Sequence, residues 1–264
     1  MYDEVYVQIG QQQKNHWWFV YRRRLAALYL SQLPMFEATK LSRYLDLGCG
    51  PGENLAFFAP RFDYAVGLDL SDVALSLAQK AHPHLQFVQG NVNHLERLFV
   101  PNSFKLITVF NVLHHQWIDS ESDVLTAIYH LLEEGGVLIL TEPVFDRLHR
   151  ATDDLCMTKR RYQPDELRQW IEGVGLQIQA KTFFNAAPIP MAYFMAHFYQ
   201  RKQSVDLSSE NFVISDPSKG GELGFGGRSA QMVMERVCAL EYQWIKMLGS
   251  FPFGMTYMIV AQKK

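Results

Sequence analysis

The run Tyr-Leu-Asp-Leu-Gly-Cys-Gly-Pro-Gly at residues 44–52 constrains this chain more than any other stretch. A short apolar segment stops abruptly in glycines at 48, 50 and 52. Glycine enters left-handed backbone conformations without a Cβ penalty, so the pattern reads as a strand running into a tight turn. Downstream, β-rich runs at 43–47, 64–70, 85–89, 104–110, 136–141, 176–183 and 255–261 are interleaved with helical patterns at 54–59, 73–81, 123–132 and 164–172. Ser71 reads as an N-cap, and Glu-Glu-Gly-Gly at 133–136 as the close of a helix. Alternation of this kind predicts parallel β-α-β units with right-handed crossovers, hence a doubly wound α/β sheet. In such a sheet the turn after the first strand lies at the carboxyl end, where ligands bind.

The chain has 264 residues, 48% of them hydrophobic, enough for a full core. Its 25 Lys and Arg against 27 Asp and Glu argue against a broad nucleic-acid footprint. Cys49, Cys156 and Cys238 form no C-x-x-C pair, which speaks against a disulfide framework or a zinc knuckle. The first residues lack a basic and then apolar leader, and no apolar run nears the ~20 residues a membrane span needs. A cytoplasmic location is the expectation.

Two regions fall outside the alternation. In residues 15–32, Trp18, Tyr21, Leu25 and Leu28 recur at helical spacing and predict an amphipathic helix, with Arg23 and Arg24 on its solvated face. Residues 184–254 open with an aromatic and Met-rich stretch at 190–199. They pass through a Ser- and Gly-rich loop at 204–229 and close with a helix at 230–248. Phe183, Phe184, Met191, Tyr193, Phe194, Met195, Phe198 and Tyr199 suit an adaptable apolar wall, or a face resting on a membrane surface. Gly220, Gly221 and the glycines of 224–227 read as a lid hinge.

The glycine loop has two possible ligands. A dinucleotide fingerprint needs G-x-G-x-x-G, and Glu53 stands where the third glycine belongs. Asp46, two residues before Gly48, would repel a pyrophosphate. It suits a ligand with cationic groups, such as the ammonium and sulfonium of S-adenosylmethionine.

Asp-Leu-Gly-Cys-Gly-Pro-Gly resembles motif I of the class I S-adenosylmethionine-dependent methyltransferases. That resemblance implies a Rossmann-like, seven-stranded, mostly parallel sheet with an antiparallel last strand and a helical cap. The organisation it suggests is an N-terminal helical segment at 1–40, a donor-binding core at 41–183, a cap at 184–254 and a terminal strand at 255–264. It further implies that Asp46, Gly48, Cys49, Gly50 and Gly52 embrace the donor. Asp69, followed by Leu70, would take both ribose hydroxyls. Asn91 and Val92 would meet the adenine edge, and Asn111 and Val112 the methionine portion. The product would be S-adenosylhomocysteine. His-Trp-Trp-Phe-x-x-Arg at 16–22 resembles a bacterial subgroup of the type 11/12-like methyltransferases, where Trp18 would wall the pocket and Arg22 would reach the donor's carboxylate. Asp153 and Arg160-Arg161-Tyr162 match a second stretch of that subgroup, with Thr158 where it has histidine. The arginines read either as an ordinary exposed turn or as a grip on an anionic substrate.

Methyl transfer is an in-line displacement, so holding donor and acceptor in line supplies much of the catalysis. A base is needed only where the acceptor must lose a proton. His114 and His115 after the fourth strand, and Glu142 after the fifth, are the candidates. Asp119, Glu121 and Asp123 read as exposed caps rather than metal ligands, and metal-independent transfer is expected. The acceptor would be an apolar or amphipathic small molecule, or a lipid or sugar precursor, chosen by the cap. A catalytically silent donor-binding regulator and a nicotinamide-dependent oxidoreductase are the alternatives. The sequence leaves the oligomeric state open.

Overall fold

The computed structural model describes residues 3–37, 41–194 and 227–264. Two helices, α1 (Asp3–Gln12) and α2 (Trp17–Leu30), precede the sheet. Then come β1 (Leu41–Leu47), α3 (Glu53–Phe58), β2 (Phe62–Asp69), α4 (Asp72–Ala81), β3 (Gln86–Gln89), β4 (Phe104–Phe110), α5 (Glu121–Leu131) and β5 (Leu132–Pro143). A short α6 (Ala151–Leu155), α7 (Pro164–Gly173), β6 (Gln177–Phe184), α8 (Ile189–Phe194), α9 (Gly227–Leu248) and β7 (Thr256–Gln262) complete the chain.

The seven strands lie in the order β3-β2-β1-β4-β5-β7-β6. β1 to β5 pair in parallel, and β7 runs antiparallel between β5 and β6. The sheet is therefore the seven-stranded, mostly parallel one expected. Order reverses between β1 and β4, which opens the switch-point crevice beside the glycine turn. Apolar side chains cover both faces. One layer holds Leu45, Ile107, Leu125 and Ile259, and the other Leu25, Tyr44, Leu106 and Val260.

The structure departs from the sequence reading in four places. The N-terminal segment contains α1 as well as α2, and α2 is buried almost all round because it lies between the sheet and α9. Arg23 is consequently not on a solvated face: it is buried and donates to the Gln13 carbonyl at 2.8 Å, while Arg24 is exposed. Residues 133–136 belong to β5 rather than to a helix end, since the amide of Gly135 donates to the Lys263 carbonyl and that of Lys263 to the Gly136 carbonyl. Finally, Glu121 is buried, because the Tyr162 hydroxyl oxygen lies 3.1 Å from its carboxylate and Arg160 lies beside it. The expected hinge at 220–221 and 224–227 and the side chains of Met195, Phe198 and Tyr199 lie wholly or largely outside the described residues.

Candidate active site

The ends of β1, β2, β4 and β5 surround one cavity of about 250 Å³. At one end it is lined by Gly48, Gly50, Asp69, Leu70, Asn91 and Val92, and at the other by His114, His115, Asp153, Thr158, Arg161 and Asn185. Trp18, Arg22, Asn111 and Val112 also line it.

The glycine turn is shaped by backbone. Gly48 has φ of +65°, and a Cβ there would come within 2.5 Å of Val112 Cγ2. This close approach keeps the β1 and β4 turns together. The amide of Gly50 donates to Asp69 Oδ2 at 2.8 Å, and the amide of Ser71 to Oδ1 at 2.9 Å, so the carboxylate also organises both turns. Ser71 then caps α4 through the Ala74 amide, as its sequence position suggested. Cys49 and Gly52 do not line the cavity. Cys49 is buried against Gly67 of β2, and Gly52 packs against Phe87 and Ala78.

Arg22 lines the inner wall, and Asp46, predicted to touch the donor, does not line the cavity but lies buried behind it. Asp46 is fully buried and accepts from Thr108 Oγ1 at 2.6 Å, while its Oδ2 has no hydrogen-bond partner among the described residues. Burial pushes its carboxyl up to about 7. Arg22 Nη1 donates to Asn111 Oδ1 at 3.0 Å, and its guanidinium carbon lies 4.6 Å from the Trp18 ring centroid and 4.8 Å from that of Phe110. Burial, reinforced by Arg23, brings the Arg22 guanidinium down to about 9. Its Nε also lacks a partner among the described residues. A buried carboxylate oxygen and a buried guanidinium N–H, both unpartnered, match the ammonium and carboxylate of a methionine moiety. The residues present therefore fit S-adenosylmethionine.

At the far end, His114 and His115 separate into different environments. Glu142 is fully buried behind His114: His114 Nδ1 is 2.8 Å from Glu142 Oε2, and Glu142 Oε1 accepts from the amides of Val112 and Leu113. This leaves the Nε2 edge of His114 on the cavity side. Burial lowers His114 to about 3 and raises Glu142 to about 8. His115 Nδ1 meets the Cys156 carbonyl at 2.8 Å, a contact that needs the proton on Nδ1, and its ring stacks on Trp117 with centroids 4.3 Å apart.

The Arg-Arg-Tyr stretch is not an exposed turn. Arg161 is buried in a double ion pair with Asp153, with Nη2 3.0 Å from each carboxylate oxygen, and it also donates to the Val144 carbonyl. The Tyr162 hydroxyl donates to the Leu113 carbonyl at 2.7 Å, and the Lys159 amide to the His114 carbonyl at 2.7 Å. Thr158 pairs with His115 in an isolated bridge. This segment straps the histidine turn in place, so Arg161 is engaged before any anionic substrate arrives. Tyr6, Gln13, Trp117, Arg150 and Asn185 line the cavity without having been singled out from the sequence. No motif marks them; each reaches the site through tertiary packing.

The fold and the crevice define a class I, Rossmann-like methyltransferase architecture. A family model described as a methyltransferase domain matches residues 45–136. Malonyl-[acyl-carrier protein] O-methyltransferase of Enterobacter lignolyticus is 26% identical over 90% of this chain and 86% of its own length. Trans-aconitate 2-methyltransferase of Methylobacterium radiotolerans is 36% identical over 51% of this chain and 48% of its own. An S-adenosylmethionine-dependent methyltransferase from Mesorhizobium loti superposes with a TM-score of 0.55, at 16% identity, covering 90% of this chain and 96% of that one. Together these likenesses support an S-adenosylmethionine-dependent methyltransferase, with S-adenosylmethionine as the methyl donor. Among the described residues no helix is long and apolar enough to cross a membrane.

Proposed function

We propose that this enzyme methylates an oxygen of a small or carrier-linked amphipathic acceptor without a metal, with His114 receiving the acceptor's proton. The observation that carries this reading is the Glu142–His114 pair, set in the wall of the cavity that also contains Asp69 and Arg22. The donor supplies an electrophilic methyl group on sulfur. Gly48, Gly50 and Asp69 hold its adenosyl half, and Asp46 and Arg22 hold its methionine half. His114 donates through Nδ1–H to Glu142 and so presents an unprotonated Nε2 to the acceptor's hydroxyl; the ionised carboxylate behind the ring offsets the burial that lowers the imidazole's basicity. Glu142 is a positioning residue here, because the imidazole stands between it and the cavity. His115, tied to the Cys156 carbonyl, shapes the wall. Glu121 and Asp153 are each engaged by protein donors, which favours proton transfer through His114 over a metal-assisted route.

A second reading is favoured by the relatives. Malonyl-carrier and trans-aconitate enzymes are named for acidic acceptors, and a carboxylate attacks without losing a proton. The two readings separate in one experiment. Label from methyl-tritiated S-adenosylmethionine is followed into lysate pools of lipid, small-molecule and macromolecular fractions, and into trans-aconitate and a malonyl thioester. With a hydroxyl acceptor, His114→Gln lowers kcat about 10²–10⁴-fold and leaves donor affinity within threefold. Uptake by the acids that is insensitive to His114→Gln overturns the hydroxyl reading.

A further inference from the structure

Asp69 is already crowded. Its oxygens accept from the amides of Gly50 and Ser71 and from the phenol of Tyr6. A carboxylate offers about four acceptor positions, so these three donors leave only one. The pair of ribose hydroxyls implied by the family resemblance thus has no place on Asp69 alone. The two amides are fixed by the β1 and β2 turns. The phenol is held only by a side chain, and it can yield its position.

Tyr6 is well placed to do more than yield. It lies on α1, is buried, and lines the cavity together with Ile9, Gln12 and Gln13. α1 is seated against the donor turns: a Cβ on Gly10 would lie 3.5 Å from Pro51 and 3.7 Å from Leu77 of α4. Arg23 fixes the end of the helix by donating to the carbonyls of Gln13 and Lys14. The outer wall of the ribose site is thus a helix from outside the sheet, carrying a hydroxyl against the carboxylate that would bind sugar.

Building on the donor-site reading above, we infer that the ribose is shared between two residues. Asp69 accepts one hydroxyl, and the Tyr6 hydroxyl, displaced from Asp69, bonds the other. α1 is then part of the donor site rather than a cover over it.

Calorimetry with S-adenosylhomocysteine and its 2′-deoxy and 3′-deoxy analogues tests this on the full chain. Tyr6→Phe weakens S-adenosylhomocysteine binding roughly three- to tenfold, the scale of one hydrogen bond. In wild type both deoxy analogues bind more weakly than the parent; in Tyr6→Phe only one of the two deletions still costs affinity. Unchanged or tighter binding by Tyr6→Phe overturns the inference, because a phenol that merely plugs Asp69 would free it on removal. So does weaker binding in which both deletions retain their full effect. Failure of the donor-site reading looks different: Asp69→Asn would then bind S-adenosylhomocysteine as wild type does.

Discussion

The two ends of the cavity are built by different means. At the end proposed for the donor, the turn that frames the site is made of backbone: left-handed glycines, strand termini and amides that converge on Asp69. The acceptor end is made of side chains that meet from far apart in the sequence. Glu142 reaches His114 across 28 residues, Tyr162 reaches Leu113 across 49, and Glu241 of α9 reaches Tyr21 across 220. A backbone site must recur wherever its turn recurs, whereas a side-chain site can be rebuilt pair by pair. This contrast suits an enzyme class in which the donor is constant and the acceptor varies.

The largest effect is expected where backbone has no freedom. Gly48→Ala puts a Cβ against Val112 in a left-handed conformation, at a cost on the order of 2–4 kcal/mol. The urea midpoint falls, and S-adenosylmethionine binding disappears in calorimetry. A tolerated alanine would break the contrast, since the donor end would then be as adaptable as the acceptor end.

A smaller effect concerns protons. Burial holds Asp46 near 7, above its ordinary value, so its own contribution to stability is present below about pH 3.8 and lost as pH rises through about 7. Donor binding has the opposite sign, because an ammonium beside Oδ2 favours the ionised form. Affinity for S-adenosylmethionine should rise roughly tenfold between pH 6 and 8, with proton release visible in buffers of different ionisation enthalpy. A flat profile that persists in Asp46→Asn removes Asp46 from the donor site.

The smallest effect sharpens the other half. Tyr162→Phe leaves the Leu113 carbonyl and Glu121 without the phenol and should cost about 1 kcal/mol of stability. Donor affinity stays within twofold while kcat falls, because the strap supports only the histidine turn. Equal losses in both would mean that the two ends are not separable.

The same division explains what could be read from the residues. Asp46, the glycines and Asp69 sit at strand ends that periodicity and turn chemistry mark, so the doubly wound parallel sheet around them and the donor chemistry were legible. Arg23 was not, because its partners are the carbonyls of Gln13 and Lys14 in the turn after α1, and nothing in those residues marks the contact. Arg161 and Tyr162 looked like a polar turn because Leu113 lies 49 residues from Tyr162, and Asp153, though only eight residues before Arg161, is brought back to it by a short helix that no motif marks. Asn185 is similar: a left-handed residue at φ +62°, its amide held by Glu241 of α9, in a stretch with no glycine to announce it.

β7 follows β6 in the chain yet separates it from β5. As the polypeptide is synthesised, the parallel strands that carry the glycine turn can pair first, whereas β6 has no neighbour to dock on until residues 256–262 arrive. Asn185 and the Glu241 contact that holds it are therefore assembled last. The stretch of cavity wall that Asn185 supplies is thus completed only after the glycine turn has formed.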